Sequence, residues 1–510
     1  MSEPLAGLLG LTPEPAPTRD AATVLLYRRA PSGVEVYWTH RDGRLSFAPG
    51  FHALPGGKLD ASDCEVPVDG ASGLDAALRV AAARELFEEV GVLAARAPGP
   101  LSPDVLRPLR RALVDGKLGF GEVLGRLGAR LDAGMFHGAG RWVTPPYLPS
   151  RFDARMFLVK APAWAEAEPW PGELVHGGWV TPARALGEWE EGRALLHPPQ
   201  VHAFRVMADF RGVDGALARL RAPPLSGPDF VSGDLEFQAG IRCTPLQTPT
   251  LPPATHTNCW ILGHGELLVV DPGPSDGAAL EPLWTRLDDL GRRGCRVKAV
   301  VLTHHHADHV GGVRAVMERL SVPAWAHART ADRLQVPVSR LLQDGEVLEL
   351  AGTPPMRWQV LHTPGHARGH VCLVDLRSRA AVVGDMVAGV GTIVIDPPEG
   401  DMADYLAQLE RLRALPVGAL CPAHGAVLPD GPGKLAEYLA HRRTRTFVVL
   451  EATPESGATL ADITAAAYAD TPAFLHPVAE RSCEATLVML QQEGKVAWRG
   501  DRCHRVPRGA

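Results

Sequence analysis

Histidine and aspartate are concentrated in one short stretch of the chain. Residues 301–312 read VLTHHHADHVGG, an apolar run followed by four histidines, an aspartate and a glycine pair. In a loop that leaves a buried strand, residues two apart point the same way. His304 and His306 can therefore bind one metal ion while Asp308 and His309 turn toward a second. Imidazole and carboxylate ligands without cysteine suit Zn, Fe or Mn and do not select firmly among them.

Three more candidate ligands occur further along the chain. They are His366 in HTPGHARGH, Asp385 in VVGDM and His424 in CPAHG. Each follows an apolar run and sits beside glycine or another small residue, where close approach to an ion is sterically possible. The spacing thus predicts that distant strand ends contribute to one metal site.

These motifs together closely resemble the metallo-β-lactamase superfamily, from Ile241 to about Gly431. Two metals lower the pKa of a bridging water toward neutrality and polarise the bond it attacks, so hydrolysis is the implied reaction. Asp308 is then expected to orient that water and to take part in proton transfer. The resemblance implies seven ligands: His304, His306 and His366 for the first metal, Asp308, His309 and His424 for the second, and Asp385 as the bridge.

Four neighbouring residues fall outside the ligand pattern. Asp271 in VVDPG matches the structural aspartate of the family and is expected to anchor a loop. His305, His362 and His370 lie beside ligands, so we expect them to hydrogen-bond or pack against the ligands rather than bind metal.

A second set of acidic residues lies at residues 84–92, which read RELFEEVGV. On a helix Glu85 and Glu89 are four apart and share a face, with Glu88 beside them, so three carboxylates are expected to converge. Like charges that close need a cation, and oxygen ligands favour Mg²⁺, which usually also contacts substrate phosphates. Arg84 could pair with a glutamate and fix its orientation.

With PGGKLDASD at residues 55–63 upstream, this segment resembles the Nudix box. The second half of the box matches at every position, whereas Asp63 replaces a glutamate and an insertion delays Arg84. Three segments resemble the Nudix branch related to coenzyme A diphosphatases: this insertion, RWVTPPYLPSRFDARMFLV and GGWVTPARAL.

That resemblance implies an Mg²⁺ or Mn²⁺ ion on Glu85, Glu88 and Glu89, and water that attacks a diphosphate. Glu88 and Glu173 are the catalytic candidates. Because of the insertion, a domain that binds its ligand without cleaving it is an alternative.

The surrounding patterns predict several domains. TVLLYRR and GVEVYWTHR alternate like two strands around a turn, and apolar residues recur at helical spacing in LDAALRVAAARELFEEVGV. Short apolar strands such as ELLVVDPG, VKAVVLTH and AAVVGDM each end in a polar, Gly-rich loop, as in an α/β sandwich that binds ligands at its strand ends. Three predicted helices (TRTFVVLEA, TLADITAAAYAD and AERSCEATLVMLQQEG) and a strand pair then follow in the order of a winged helix.

The predicted fold class is multidomain, α+β and α/β. A chain of 510 residues with 45% hydrophobic content exceeds what one core can hold. We place the domains as follows: a Nudix α/β/α sandwich at residues 18–222, a Pro- and Gly-rich linker at 223–238, a metallo-β-lactamase αββα sandwich at 239–435 and a small winged-helix module at 436–510.

Composition restricts the partners. A net charge of -6 gives no general positive field for nucleic acid or anionic membrane. No apolar run approaches the roughly 20 residues of a membrane helix, and the N-terminus lacks a basic leader. The eight scattered cysteines suit a reducing compartment. We therefore expect a cytoplasmic protein with no membrane partner.

Finer features resemble one branch of the metallo-β-lactamase superfamily. Three segments are similar to lactamase-like proteins with a terminal winged helix: TPTLPPATHTNCWILG, the HTPGH turn and the C-terminal segment. That branch includes single-strand endoribonucleases and thioesterases acting on carrier-bound polyketides. The second TPGH repeat of the family is broken here and reads ARGH at residues 367–370. The loop beside His366 is therefore expected to differ in shape and substrate contact.

The leading hypothesis is a bifunctional hydrolase. Two Zn, Fe or Mn ions would serve hydrolysis of an ester, thioester or phosphodiester, and the Nudix domain would cleave a nucleoside-diphosphate-type bond, both on small nucleotide or thioester substrates such as acyl-coenzyme A. One alternative is an endoribonuclease that processes single-stranded RNA. Another is a nucleotide-sensing, DNA-binding regulator with an inactive Nudix domain.

Overall fold

The computed structural model describes residues 16–45, 48–145, 150–222, 235–472 and 475–507. The chain divides into two compact units, an N-terminal unit that ends at Ala239 and a C-terminal unit that begins at Gly240. Most of the predicted linker, residues 223–234, lies outside the described residues, and its last part forms a strand, Leu235–Gln238. Among the described helices, none is both long enough and apolar enough to cross a membrane.

A mixed sheet forms the centre of the N-terminal unit. The predicted strand pair TVLLYRR and GVEVYWTHR is confirmed as its first two strands. The strands of the unit are β1 (Thr18–Ala30), β2 (Gly33–Arg41), β3 (His52–Ala53), β4 (Gly56–Lys58), β5 (Val68–Asp69), β6 (Leu131–Asp132), β7 (His137–Val143), β8 (Arg151–Lys160), β9 (Leu174–Val180) and β10 (Leu235–Gln238). The central order is β3-β2-β1-β8-β7, with β4 on β1 and β9 on β2, and β1 runs parallel to β8. β5 and β6 form a separate parallel pair.

Helices cover both faces of this sheet. Val24 and Leu26 of β1 belong to a core shared with the first three helices, while Leu25 and Tyr27 belong to a core shared with the last three. This alternation follows from the two-residue period of a strand and gives an α/β/α sandwich. The helices are α1 (Gly73–Val90), α2 (Pro103–Val114), α3 (Phe120–Leu127), α4 (Pro182–Glu190), α5 (Pro198–Ala208) and α6 (Val213–Arg221), with 3₁₀ turns at Ala61–Glu65 and Ala133–Met135.

The predicted helix LDAALRVAAARELFEEVGV is confirmed as α1. It ends at Gly91, whose φ of 72° lies in the left-handed region that glycine adopts without strain. Val90 and Gly91 thus close the helix that carries the three glutamates.

Two sheets form the sandwich of the C-terminal unit. The first contains β11 (Ile241–Gln247), β12 (His256–Leu262), β13 (Glu266–Val270), β14 (Arg296–Leu302), β15 (Ala324–His327) and β16 (Val338–Leu342), in sequence order. The second contains β17 (Val347–Leu350), β18 (Met356–His362), β19 (Val371–Asp375), β20 (Ala381–Gly384) and β21 (Leu420–Pro422), also in sequence order. Asn258 and Trp260 of β12 donate hydrogen bonds to the Pro422 carbonyl of β21, which joins the two sheets.

Helices lie outside both sheets and complete the αββα arrangement. α7 and α9 pack on the first sheet, and α11, α12 and α14 pack on the second. The helices of this unit are α7 (Glu281–Arg292), α8 (Ala307–Val310), α9 (Val313–Leu320), α10 (Ala328–Ala331), α11 (Met402–Ala414), α12 (Gly431–Ala452), α13 (Leu460–Ala467) and α14 (His476–Gln492), with a 3₁₀ turn at Ala278–Leu280.

The C-terminal segment is a small module with its own core. Val449, Ile463, Leu487 and Val496 meet in this core, between α12, α13, α14 and a small sheet. Its strands are β22 (Ala458–Thr459), β23 (Val496–Arg499) and β24 (Arg502–Arg505), in the order β22-β24-β23. The predicted winged-helix order is confirmed, but the first helix begins at Gly431, so residue 436 lies within α12 and not at a break.

Candidate metal centre

The histidine cluster follows a buried strand whose end is fixed by one aspartate. β13 and β14 run in parallel, with Val270 beside Val301, so the residues that follow the two strands are neighbours. Thr303 donates its backbone N–H to Asp271 Oδ1 at 2.8 Å and its hydroxyl to Oδ2 at 2.6 Å. Asp271 therefore anchors the start of the cluster, as expected from its motif.

Four predicted ligands form the first group. The structure brings His304, His306, His366 and Asp385 together so that one ligand atom from each lies within 4.8 Å of the others. His306 Nδ1 lies 3.0 Å from both His304 Nε2 and His366 Nε2, and Asp385 Oδ2 lies 3.4 Å from His366 Nε2. This spacing could place all four side chains around one ion.

The other three predicted ligands form the second group. Asp308, His309 and His424 also lie within 4.8 Å of one another. Asp385 Oδ1 lies 3.6 Å from His309 Nε2 and 3.5 Å from His424 Nε2, while its other oxygen faces the first group. Asp385 thus stands between the two groups, as the bridging assignment requires.

Hydrogen bonds fix which ring nitrogen faces the centre. His309 Nδ1–H donates to Asp271 Oδ2 at 2.8 Å, His366 Nδ1–H to the Val394 carbonyl at 2.8 Å and His424 Nδ1–H to the His256 carbonyl at 3.0 Å. In the neutral ring each of these bonds keeps the proton on Nδ1 and leaves Nε2 able to act as a ligand. Sequence reasoning did not find the Val394 and His256 carbonyls, because a backbone oxygen has no side-chain signature.

The electrostatics of the centre correspond to a cation site. Burial lowers the pKa of His304 and His306 well below the ordinary value of histidine, which keeps these rings neutral, as metal ligands must be. Burial also acts on His309, but the carboxylates of Asp385, Asp308 and Asp271 outweigh it and raise the pKa of His309 well above the ordinary value. These carboxylates therefore favour a positive charge beside His309, either a proton or a metal ion.

Two buried atoms at the centre have no hydrogen-bond partner among the described residues. They are His309 Nε2 and Asp385 Oδ1. A buried polar atom left without a partner is costly, and coordination to an ion would satisfy both atoms. The seven side chains thus fit a pair of divalent ions, and their mixture of imidazole and carboxylate suits Zn, Fe or Mn.

The three neighbouring histidines lie outside both groups. His370 Nε2 accepts the backbone N–H of Asp385 at 3.1 Å, so its Nδ1–H donates to Thr363 Oγ1 at 2.8 Å. His362 stacks on His327 with ring centroids 4.0 Å apart. His305 packs beside His306. His370 therefore hydrogen-bonds the backbone of the candidate ligand Asp385, as expected for a residue outside the ligand pattern.

The acidic residues of the N-terminal unit surround Arg84 on α1. Arg84 Nη1 donates to Glu85 Oε1 at 2.8 Å and to Glu88 Oε2 at 3.0 Å, while Nε and Nη2 form a bidentate pair with Asp63. Glu89 accepts the backbone N–H of Gly56 at 2.9 Å. The three glutamates are thus neighbours around Arg84 and Gly56, although among the described residues only the histidine centre brings three or more ligand atoms within 4.8 Å of one another.

Burial makes ionisation of these glutamates unfavourable. It raises the pKa of Glu85 to about 7 and that of Glu89 to about 8, in each case with a further contribution from neighbouring carboxylates, and it raises the pKa of Glu88 as well. Glu173 is exposed, and its charge contributes to the raised pKa of Glu89. Such a group of acids is ready to accept a cation. Asp63, which replaces the glutamate of the box, is buried and serves as the partner of Arg84.

The geometry agrees with the result of comparing the chain with known families. A family profile described as the metallo-beta-lactamase superfamily matches residues 252–424. Residues 252–424 are a metallo-β-lactamase domain. A second profile, described as a beta-lactamase associated winged helix domain, matches residues 459–503. The chain therefore contains a metallo-β-lactamase domain followed by a winged-helix module.

Individual proteins are similar to parts of this chain. Beta-lactamase-like protein 2 homolog of Caenorhabditis elegans is 28% identical over 246 residues, which are 47% of this chain and 80% of that protein. Atrochrysone carboxyl ACP thioesterase AgnL7 of Paecilomyces divaricatus is 32% identical over 193 residues, which are 37% of this chain and 56% of that protein. A solved NUDIX hydrolase from Alicyclobacillus acidocaldarius is 30% identical, with a TM-score of 0.37, over 42% of this chain and 100% of its own.

Proposed function

We propose that the protein is a double hydrolase with one site in each unit. The metallo-β-lactamase domain hydrolyses a thioester or related ester, and the N-terminal unit is a Nudix domain that cleaves a diphosphate bond. The observation that carries the first assignment is the convergence of seven side chains in two groups bridged by Asp385. The second rests on the α1 glutamates around Arg84.

In the metallo-β-lactamase domain, His304, His306 and His366 would hold the first ion and Asp308, His309 and His424 the second, with Asp385 shared. When bound, two such ions supply a water of lowered pKa and polarise the bond under attack. Asp308 Oδ2 lies 3.5 Å from His424 Nε2 and its other oxygen 4.0 Å from His309 Nε2, so its carboxylate faces the second group. From that position Asp308 can orient the attacking water and accept its proton.

A thioester is favoured over RNA by the charges of the C-terminal module. Residues 441–510 contain nine Lys or Arg against eight Asp or Glu. Many of these cations are paired: Arg445 with Asp470, Arg505 with Glu451 and Lys495 with Glu493. Affinity for a phosphate backbone rests on several available cations, so this module is a weak nucleic-acid surface. The similar Paecilomyces protein is named as an atrochrysone carboxyl ACP thioesterase.

In the N-terminal unit, Glu85, Glu88 and Glu89 would hold Mg²⁺ or Mn²⁺. When bound, this ion neutralises the diphosphate and the buried carboxylates together. Arg84 fixes the orientation of Glu85 and Glu88, and Glu88 or Glu173 accepts the proton of the attacking water. The sandwich in which β1 runs parallel to β8 and α1 covers one face supports this assignment.

The two sites together indicate an acyl-coenzyme A type of substrate, since that molecule contains both a thioester and a diphosphate. The protein would then act on small molecules in the cytoplasm, where its eight unpaired cysteines remain reduced. Single-stranded RNA is the alternative substrate of the metallo-β-lactamase domain.

One experiment tests both halves. Purified protein loaded with zinc and magnesium is incubated with an acyl-coenzyme A, and free thiol and 3',5'-ADP are measured. We expect Asp385→Ala to lower thiol release on the order of 100-fold or more while 3',5'-ADP formation continues, and Glu88→Gln to do the reverse.

Each variant serves as the folded control of the other. Loss of both products in either variant would contradict two independent sites. If neither product forms while labelled RNA is cut, and Asp385→Ala abolishes the cut, the endoribonuclease alternative replaces the thioesterase.

A further inference from the structure

The segment that follows Asp385 returns to the first ligand group before α11 begins. Val394, in the middle of this segment, offers its carbonyl to His366 Nδ1–H at 2.8 Å. At its far end the Asp401 N–H donates to the Gly365 carbonyl at 2.7 Å. One loop therefore connects the shared carboxylate to the imidazole of His366.

Two helices at the C-terminal end of the chain hold the residues on either side of Val394. Arg442 of α12 donates from Nη2 to the Ile393 carbonyl, and the Ile395 N–H donates to Ser482 Oγ of α14 at 3.2 Å. Both side chains are buried, with Arg442 only 5% exposed and Ser482 6% exposed. The carbonyl that orients His366 thus lies between two anchored peptide groups.

The anchor on α12 is fixed by its surroundings. The Arg442 guanidinium lies over the Tyr405 ring, 5.3 Å from its centroid, and the Tyr405 hydroxyl donates to the Met386 carbonyl at 2.6 Å. One turn earlier on α12, the Tyr438 hydroxyl oxygen accepts the Ala388 N–H at 2.9 Å. α12 therefore holds the loop between Asp385 and α11 at Ala388 and Ile393, in addition to the contact that Tyr405 of α11 makes at Met386.

From this arrangement we infer that Arg442 and Ser482 are positioning residues of the metal centre. They hold the Ile393–Ile395 segment so that the Val394 carbonyl keeps the proton of His366 on Nδ1 and leaves Nε2 directed at the first ligand group. The inference rests on the proposed function in one respect, namely that His366 binds a metal ion. On this inference, α12 and α14 help to orient a ligand of the first group.

A physical reason separates this role from ordinary packing. If the Val394 carbonyl moves away, His366 Nδ1–H loses its acceptor, and the ring can exchange tautomers or rotate so that Nε2 no longer faces the centre. Hydrogen-bond partners that orient a metal-binding histidine typically contribute about 10-fold to 100-fold in metal affinity. The second ligand group does not depend on this loop carbonyl, because His309 and His424 are held by Asp271 and the His256 carbonyl.

The test measures zinc affinity at the first ligand group alone. His424→Ala is introduced to weaken the second group, and the zinc Kd of the full chain is determined by competition with a chelator of known affinity. We expect Ser482→Ala to raise this Kd about 10-fold to 100-fold. Arg442→Met should do the same, and Arg442→Lys, which can still donate to the Ile393 carbonyl, should lie nearer to the parent protein.

Thr486→Val is the matched control on the same helix. Its buried hydroxyl donates to the Ser482 carbonyl and, among the described residues, forms no hydrogen bond with the loop, so the zinc Kd of this variant should stay within twofold of the parent. The measurement is repeated with His366→Ala in place of His424→Ala, where Ser482→Ala should leave the second group unchanged. If Arg442→Met does not fold, Ser482→Ala carries the test.

The outcomes are distinguishable. An unchanged Kd in Ser482→Ala, an equal loss at both ligand groups, or an equal loss in Thr486→Val would overturn the inference. A parent protein that binds no zinc would instead overturn the proposed function.

Discussion

Asp271 shows how one buried side chain can decide the tautomer of a neighbouring candidate ligand. Its Oδ2 accepts both the Thr303 hydroxyl and the His309 Nδ1–H, and Oδ1 accepts the Thr303 N–H. The carboxylate therefore fixes the tautomer of His309 and the path of the loop at once. Arrangements of carboxylate, histidine and metal of this kind make the imidazole a more basic ligand.

Asp271→Asn should weaken the second ligand group. The amide has one acceptor oxygen in place of two, so its NH₂ group must face either the Thr303 N–H or the His309 Nδ1–H, and either arrangement weakens the hold on the His309 ring. We expect zinc affinity at the second group to fall about 10-fold to 100-fold, measured by chelator competition in His366→Ala protein.

Asp375→Asn provides the matched control. Asp375 is equally buried in the same unit, at the end of β19, where it accepts hydrogen bonds from the Ser378 N–H and hydroxyl. Its substitution should lower stability without changing zinc affinity. Equal zinc affinities in both variants would contradict the orienting role of Asp271.

At the scale of elements, the ends of strands supply the ligands and small residues let them approach. β20 ends at Gly384, whose φ of 46° lies in the left-handed region, and Asp385 follows it. A methyl group at Gly384 would lie 2.5 Å from His370 Nε2 and 3.0 Å from Thr303 Oγ1. Glycine is therefore required both by the backbone and by the packing of β14 and β20 around the centre.

Gly384→Ala should lose metal binding as well as stability. The added methyl must displace His370, which accepts the Asp385 N–H, and so moves the shared carboxylate. We expect the variant to retain fewer than two zinc ions per chain after dialysis, measured by mass spectrometry of the metal content.

Gly345→Ala is the control for backbone strain alone. Gly345 also has a positive φ, 81°, but nothing lies within 4 Å of an added methyl. This substitution should cost about 1 kcal/mol of unfolding free energy and leave two zinc ions bound. A full zinc content in Gly384→Ala would show that the site tolerates the displacement of His370.

At the scale of the whole molecule, each compact unit carries its own charged site. The C-terminal unit places imidazoles and carboxylates around one centre, while the N-terminal unit places carboxylates alone beside Arg84. Mixed nitrogen and oxygen ligands select transition metals, and oxygen ligands select Mg²⁺. The two units should therefore respond to different ions.

Hydrogen exchange of the full chain should reveal this division. An ion at 100 times its Kd stabilises the state that binds it by about 2.7 kcal/mol. After chelation, zinc should slow exchange in peptides from residues 303–310 and 363–395, and magnesium in peptides from residues 56–65 and 84–91. Asp385→Ala should lose most of the zinc response and keep the magnesium response. Protection of both units by a single ion would contradict two separate sites.

The local motifs predicted much of the metal centre, because the spacing of their residues determines which side chains can meet. His304, His306, Asp308 and His309 lie within six residues, so a strand and one helical turn suffice to direct them to a common centre. The period of apolar residues likewise predicted β1, β2 and α1. The boundary at residue 436 was less well predicted, since the continuous helix α12 crosses it.

The spacing of residues did not predict the hydrogen-bond partners that come from other parts of the chain. The shared helical face of Glu85, Glu88 and Glu89 predicted three neighbouring carboxylates, but it did not predict that Arg84 donates to two of them and the Gly56 N–H to the third. Arg84 also pairs with Asp63, which occupies the acid position of the box ahead of the insertion.

The sequence by itself thus determined which residue types could bind metal and which elements would carry them. Only the tertiary structure decided which nitrogen of each imidazole faces the centre, and which distant helices hold the loop that makes this choice. The physical reason is that backbone groups such as the Val394 and His256 carbonyls orient these rings. Every residue has such a group, so its role arises from position in the fold and leaves no mark in the sequence.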